Sequence, residues 1–175
     1  MRLLRDYHAE TGRLILEHEG TLERFTGDGM MVFFNDPVVV ANPAERAVRM
    51  AIAIRDRIAD MTVLWRKRGL DLALGIGIAQ GFATIGAIGF EGRRDYAAIG
   101  TVTNLAARLC GEAKGGQILT NRKTLGEIEH LVEAEPAGEL VLKGFARAVT
   151  AYAVTQIKTS VPPQPRRRSR SRGRA

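Results

Sequence analysis

The sequence predicts a mixed α/β domain with helices packed on one sheet. Helical apolar stripes run over residues 1–19 and from Asn42 to Gly69, and a strand hairpin around Gly27-Asp28-Gly29 sits between them. A period-two run follows at Leu72, Leu74, Ile76 and Ile78. With 175 residues, 45% apolar and 26% charged, the chain is long and apolar enough for one globular core.

The elements follow in order. In the first helix Leu3, Tyr7, Leu14 and His18 share a stripe, and Gly20 stops it. Thr21–Phe25 and Met30–Phe34 read as two strands with an acid at the turn. Asn42-Pro43 opens a long helix, Asn42 as the N-cap and Pro43 at the first helical position. Its apolar face is Val48, Ala51, Ile52, Ile58, Met61 and Trp65. Leu72–Phe90 carries no charge over 19 residues, long enough to span a bilayer. Five glycines interrupt it, so two buried strands joined near Gln80-Gly81 are expected instead, with no membrane span. Asp95–Ile99 is a further strand, Val102–Ala113 a helix, Gln117–Thr120 a strand and Arg122–Leu131 a helix. Leu140–Lys143 and Thr150–Thr155 are expected as closing strands.

Charge divides the chain unevenly. Six arginines and no acid lie in 161–175, so most of the net charge of +7 belongs to the end and residues 1–160 are nearly neutral. The segment 158–175, rich in proline, arginine and serine, is expected to be a disordered basic tail. It has no aromatic side chain for base stacking, which favours a solvated terminus over nucleic-acid binding. Cys110 is the sole cysteine, which excludes an internal disulfide and fits a cytoplasmic setting, and no basic-then-apolar leader opens the chain.

Three motifs bear on chemistry. Gly75, Gly77 and Gly81 read GxGxxxG within a strand, which fits no dinucleotide fingerprint. Asp28 between two glycines is either a turn former or an oxygen ligand held out towards a magnesium ion on a nucleotide. Asn104 and Arg108 stand four apart on one helical face. That pair is either ordinary helix surface or an amide and a guanidinium aimed at developing phosphate charge.

With EGTLERFTGDGMMVFF at 19–34, DYAAIGTVTNLAARL at 95–109, KGGQILT at 114–120 and ELVLKGF at 139–145, the chain resembles class III adenylate and guanylate cyclase catalytic domains over about residues 1–157. The resemblance implies a ferredoxin-like palm and head-to-tail pairing of two chains, with each active site between them. It implies attack of the ribose 3′-hydroxyl of ATP on the α-phosphate, giving cyclic AMP and pyrophosphate. On it, Asp28 is a metal ligand, Asn104 orients the ribose and Arg108 stabilises the transition state. Lys143 meets the terminal phosphates, and two magnesium or manganese ions are expected.

The sequence departs from that pattern in three places. The base-reading lysine position, four residues before Asp28, holds Arg24. Its partner position, seven before Asn104, holds Ala97, which offers no hydrogen bond. The opening strand with the first metal aspartate, central to the family's sheet, has no counterpart here, and Asp6 on the first helix lacks the context to replace it. A cyclase impaired when alone is therefore expected, with ATP favoured because nothing resembles a guanylate cyclase's Glu and Cys pair. The competing expectation is a non-catalytic or half-catalytic module that completes the active site of an intact cyclase chain; the head-to-tail pair is expected as a homodimer or as a heterodimer with such a chain.

Overall fold

Residues 2–159 are described by the structure, a computed structural model. The expected tail at 158–175 lies outside them except for its first two residues. The order is α1 (Arg2–Glu17), β1 (Thr21–Thr26), β2 (Gly29–Phe33), α2 (Pro43–Arg66), β3 (Ile76–Ile78), β4 (Thr84–Phe90), β5 (Arg93–Ile99), α3 (Thr101–Glu112), β6 (Ile118–Asn121), α4 (Arg122–Ile128), β7 (Val132–Leu140) and β8 (Val149–Ile157). The mixed helix-and-sheet class expected from the sequence is the one observed, but the single sheet expected with it is not.

Three separate hydrogen-bonded sheets form among the described residues. Four strands pair in the order β3-β6-β8-β7, β1 pairs with β2, and β4 pairs with β5. In the large sheet β3 runs parallel to β6, while β6–β8 and β8–β7 are antiparallel. Alternation along β6 sends Ile118 to one face, where it meets Val48 and Ala51 of α2 and Ile128 of α4. Leu119 points to the other, where it meets Leu109 of α3. Thr120 is fully buried because its hydroxyl donates to the Ile78 carbonyl at 2.9 Å.

The second face of α2 joins α1. Tyr7, Leu14 and Ile15 pack with Met50, Ile54, Ile58, Met61 and Trp65, and Met30 and Val32 of β2 and Ile76 of β3 close on the same cluster. Strands β2 and β3 thus share a core without belonging to one sheet. Gly77 lets β3 lie directly under α3, since a Cβ there would stand 2.3 Å from the Ala106 carbonyl oxygen and the Cys110 nitrogen. Close packing, not a phosphate, explains that glycine.

Several expectations need correction. Asn42 precedes α2 but sits at φ 52 and ψ 59 with no side-chain cap; its carbonyl accepts from the Arg46 N–H at 3.1 Å. Leu72 and Leu74 lie before β3 rather than in it. The second of the two strands expected to be buried, β4, is largely exposed and pairs with β5 alone. Its freedom from charge reflects an apolar exposed ribbon, not burial. No strand covers Leu140–Lys143 as expected; a longer strand, β7, ends at Leu140, and the chain then enters a turn at Lys143. In β7 the glutamates, Pro136 and Gly138 hid the strand, and they suit the sheet-edge position it occupies.

Candidate active site

Two structural units meet at the site. The β1–β2 hairpin turns at Gly27-Asp28, with Gly27 at φ +69, where a β-carbon would be strained. Asp28 stands exposed at this tip, so the carboxylate is presented to solvent rather than packed. Its charge nonetheless reaches Tyr7 on α1: the phenol's pKa is raised first by burial, then by Asp28, then by Cys110.

Opposite the hairpin stands α3. Leu109 is fully buried and Leu105 partly so, which turns Asn104 and Arg108 outward. Thr103 ties the first turn down by donating to the Gly100 carbonyl at 2.7 Å. The hairpin and the β4–β5 ribbon are held together by the Tyr96 hydroxyl donating to the Asp36 carboxylate, and by Phe33 and Tyr96 rings 6.2 Å apart.

Between these units lies a cleft of about 360 Å³ lined by Glu23, Arg24, Met31, Ala98, Thr103 and Asn104, among others. Arg24 and Asn104, singled out separately in the sequence, therefore share one wall-to-wall site. Ala97 is buried beside it at the neighbouring position to Ala98. Arg108 lies one helical turn beyond Asn104, exposed, and outside the cleft lining. Lys143 is exposed in the turn after β7; its neighbour Leu142 is buried against Leu109 and so anchors that turn on the α3 side. Asp28 and Lys143 do not line the cleft.

Glu23 was not singled out by the sequence. Register slips between Leu22 and Arg24, so Glu23 is the extra residue of a β-bulge. The bulge places Glu23 and Arg24 on the same cleft, where strict alternation would have sent them to opposite faces. The Glu23 side chain is only 3% exposed, and its Oε1 accepts from Arg24 Nη2 at 2.5 Å and Nε at 3.2 Å. That pairing raises the pKa of Arg24. The only sequence signal for it is an adjacent Glu-Arg pair inside a strand.

For cations, the described residues bring no group of three His, Cys, Asp or Glu side chains together. Asp28 supplies one exposed carboxylate, and Asp6 on α1 forms no such group with it. A magnesium ion takes six oxygen ligands, commonly one or two of them carboxylates. Asp28 offers one such carboxylate at the exposed hairpin tip.

A cleft thus lies between the β1–β2 hairpin and the Asn104 end of α3 on a helix-covered sheet, and comparison with known proteins says which family carries this fold. Residues 1–156 match the adenylate and guanylate cyclase catalytic domain family, and the chain belongs to it. Adenylate cyclase 1 of Rhizobium meliloti (strain 1021) is 30% identical over 162 residues, covering 91% of this chain and 24% of that protein. The chain thus spans about a quarter of the length of that curated relative. The crystal structure of the adenylyl cyclase CyaB from P. aeruginosa superposes with a TM-score of 0.84 at 34% identity, covering 90% of this chain and 83% of that one. The guanylyl cyclase Cya2 gives 0.83 at 29% identity, with coverage of 90% and 81%. No helix among the described residues is long and apolar enough to cross a membrane.

Proposed function

We propose that this chain is an adenylate cyclase catalytic domain, which converts ATP to 3′,5′-cyclic AMP and pyrophosphate in a site shared by two chains. The observation that carries this reading is Arg24 and Asn104 lining one cleft while Asp28 stands outside it. A base-and-ribose half-site on one chain, with the carboxylate aimed elsewhere, is the division that head-to-tail pairing requires.

Each residue has a task in the 3′-hydroxyl attack on the α-phosphate. Arg24 donates to a ring nitrogen of the base, and the Asn104 amide holds the ribose so that its 3′-oxygen lines up with phosphorus. Arg108 meets the negative charge that grows on the α-phosphate oxygens, and a guanidinium does this with two parallel donors. Lys143 serves the terminal phosphates, which leave as pyrophosphate. Magnesium or manganese is the cation class expected with the nucleotide, and Asp28 is the residue that would hold it.

The test is direct. The purified chain is incubated with ATP or GTP and magnesium, and the cyclic products are separated. Cyclic AMP in excess of cyclic GMP supports the reading, with turnover by the chain alone expected below about 1 per second. Cyclic GMP in excess overturns the choice of ATP.

A second reading is favoured by the same separation of Asp28 from the cleft: a half-catalytic partner for an intact cyclase chain. Activity that arises only on mixing with such a chain, and that vanishes with Arg108→Ala, supports it. Mixing without any gain removes it.

A further inference from the structure

Burying a carboxylate is costly unless its lone pairs are met by donors. Glu23 is buried to 3% exposure, yet its known partners crowd one oxygen. Oε1 accepts from Nε and Nη2 of Arg24 and, at 3.4 Å, from the Ala98 N–H. Oε2 has no hydrogen-bond partner among the described residues, and it is not among the buried polar atoms sealed away from a partner. A β-bulge is spent on placing this side chain, and bulges concentrate where a side chain must be re-aimed.

A purine carrying an exocyclic amine shows a donor beside a ring nitrogen. Glu23 is the one carboxylate among the cleft's lining side chains; the hydroxyls of Thr26 and Thr103 are neutral acceptors, Thr103 being turned to the Gly100 carbonyl, and Asn104 is committed to the ribose on the reading above, while Arg24 has only donors. A carboxylate acceptor stands against Arg24 and against the backbone at Ala98, the position next to Ala97. From this geometry we infer that Glu23 is the base-specificity determinant: its free oxygen accepts from the exocyclic amine of the purine while Arg24 donates to the adjacent ring atom. Glu23 also holds the Arg24 fork in place, so the two residues read the base as one acceptor–donor unit. The inference rests on the nucleotide reading above and names the side chain that takes over where Ala97 has none.

Binding of 3′-deoxynucleotides tests it, because they cannot cyclise and the measurement needs no turnover. The full chain is titrated calorimetrically with 3′-deoxy-ATP and with 3′-deoxyinosine triphosphate, whose hypoxanthine has no exocyclic amine. The wild type is expected to favour the adenine nucleotide by about tenfold or more, the scale of one hydrogen bond to a charged group. In Glu23→Gln that ratio is expected to fall to within about threefold of unity, since an amide can present a donor to the hypoxanthine carbonyl as readily as an acceptor to the amine. Glu23→Asp, which withdraws the acceptor while keeping its charge, is expected to shrink the ratio as well and serves where the glutamine variant fails to melt cooperatively. A variant that keeps the wild-type ratio overturns the role of Glu23 and leaves the nucleotide reading standing. A wild type that binds both nucleotides equally does the same. A wild type that binds neither overturns the nucleotide reading and the inference with it.

Discussion

Strand β6 of the four-stranded sheet and strand β4 of the β4–β5 ribbon both lack charged residues and end in opposite situations. In β6, Ile118, Leu119 and Thr120 are all buried, because helices cover both faces of the strand and neighbours flank both of its edges. The ribbon pairs only with itself, and around it Phe82 is 98% exposed, Phe90 72% and Ile99 57%. Stability therefore resides in the sheet, while the ribbon offers surface. The residues of the candidate site come from the second kind of region. Arg24 and Asp28 sit on the hairpin, Ala97 on the ribbon, Lys143 in a turn, and Asn104 and Arg108 on the outward face of α3. Exposed rings such as Phe82 and Phe90 suit the pairing with another chain proposed above.

Several changes would break or sharpen that contrast. Ile118→Ala removes a fully buried side chain from the sheet and is expected to cost about 2–5 kcal/mol of unfolding free energy, read by denaturant titration. A cost below about 1 kcal/mol would mean that the sheet is not the stable region.

Arg108→Ala lies on the surface side of the comparison. We expect a roughly 100- to 1,000-fold loss of cyclisation rate, assayed in whichever pairing of chains is active, with the melting temperature unchanged. A large drop in melting temperature would instead make Arg108 part of the packing.

Phe82→Ser and Phe90→Ser should leave unfolding free energy within about 0.5 kcal/mol of the wild type, since both rings are already in solvent. They should weaken self-association, followed by sedimentation across a concentration series. Unchanged association would place the pairing surface elsewhere.

The smallest effect belongs to the surface ion pairs. The hydrogen bond from Arg57 Nε at 2.9 Å, and then the one from Arg13, hold the Glu10 carboxyl below its ordinary pKa. A depressed carboxylate stabilises the fold above its unfolded pKa and loses that contribution as pH falls through the folded value. Stability of Glu10→Gln and wild type should therefore differ slightly at neutral pH and converge in acid, and added salt should narrow the gap. Parallel curves across the acid range would show that these pairs contribute nothing.

Much of the site was legible before any coordinates. Asn104 and Arg108 could be placed together because helical period alone sets two residues four apart on one face, while the burial of Leu109 on the other side came from the structure. The Gly27-Asp28 turn was equally local, since its chemistry needs only adjacent residues. Glu23 was illegible because a bulge depends on the register of the partner strand, which no single-strand pattern encodes. Strand β7 was missed for a similar reason: an edge position tolerates proline and charge that would exclude a central strand.

The sequence by itself determined the order of most elements, the hairpin turn, the outward Asn/Arg pair and the family, because each rests on short-range spacing or on motifs in fixed order. Only the tertiary structure decided that the uncharged run becomes an exposed ribbon, that Gly77 exists to admit a helix, and that Glu23, Arg24 and Asn104 meet in one cleft. Those facts depend on which surfaces lie against one another, and burial is a property of the neighbour as much as of the residue.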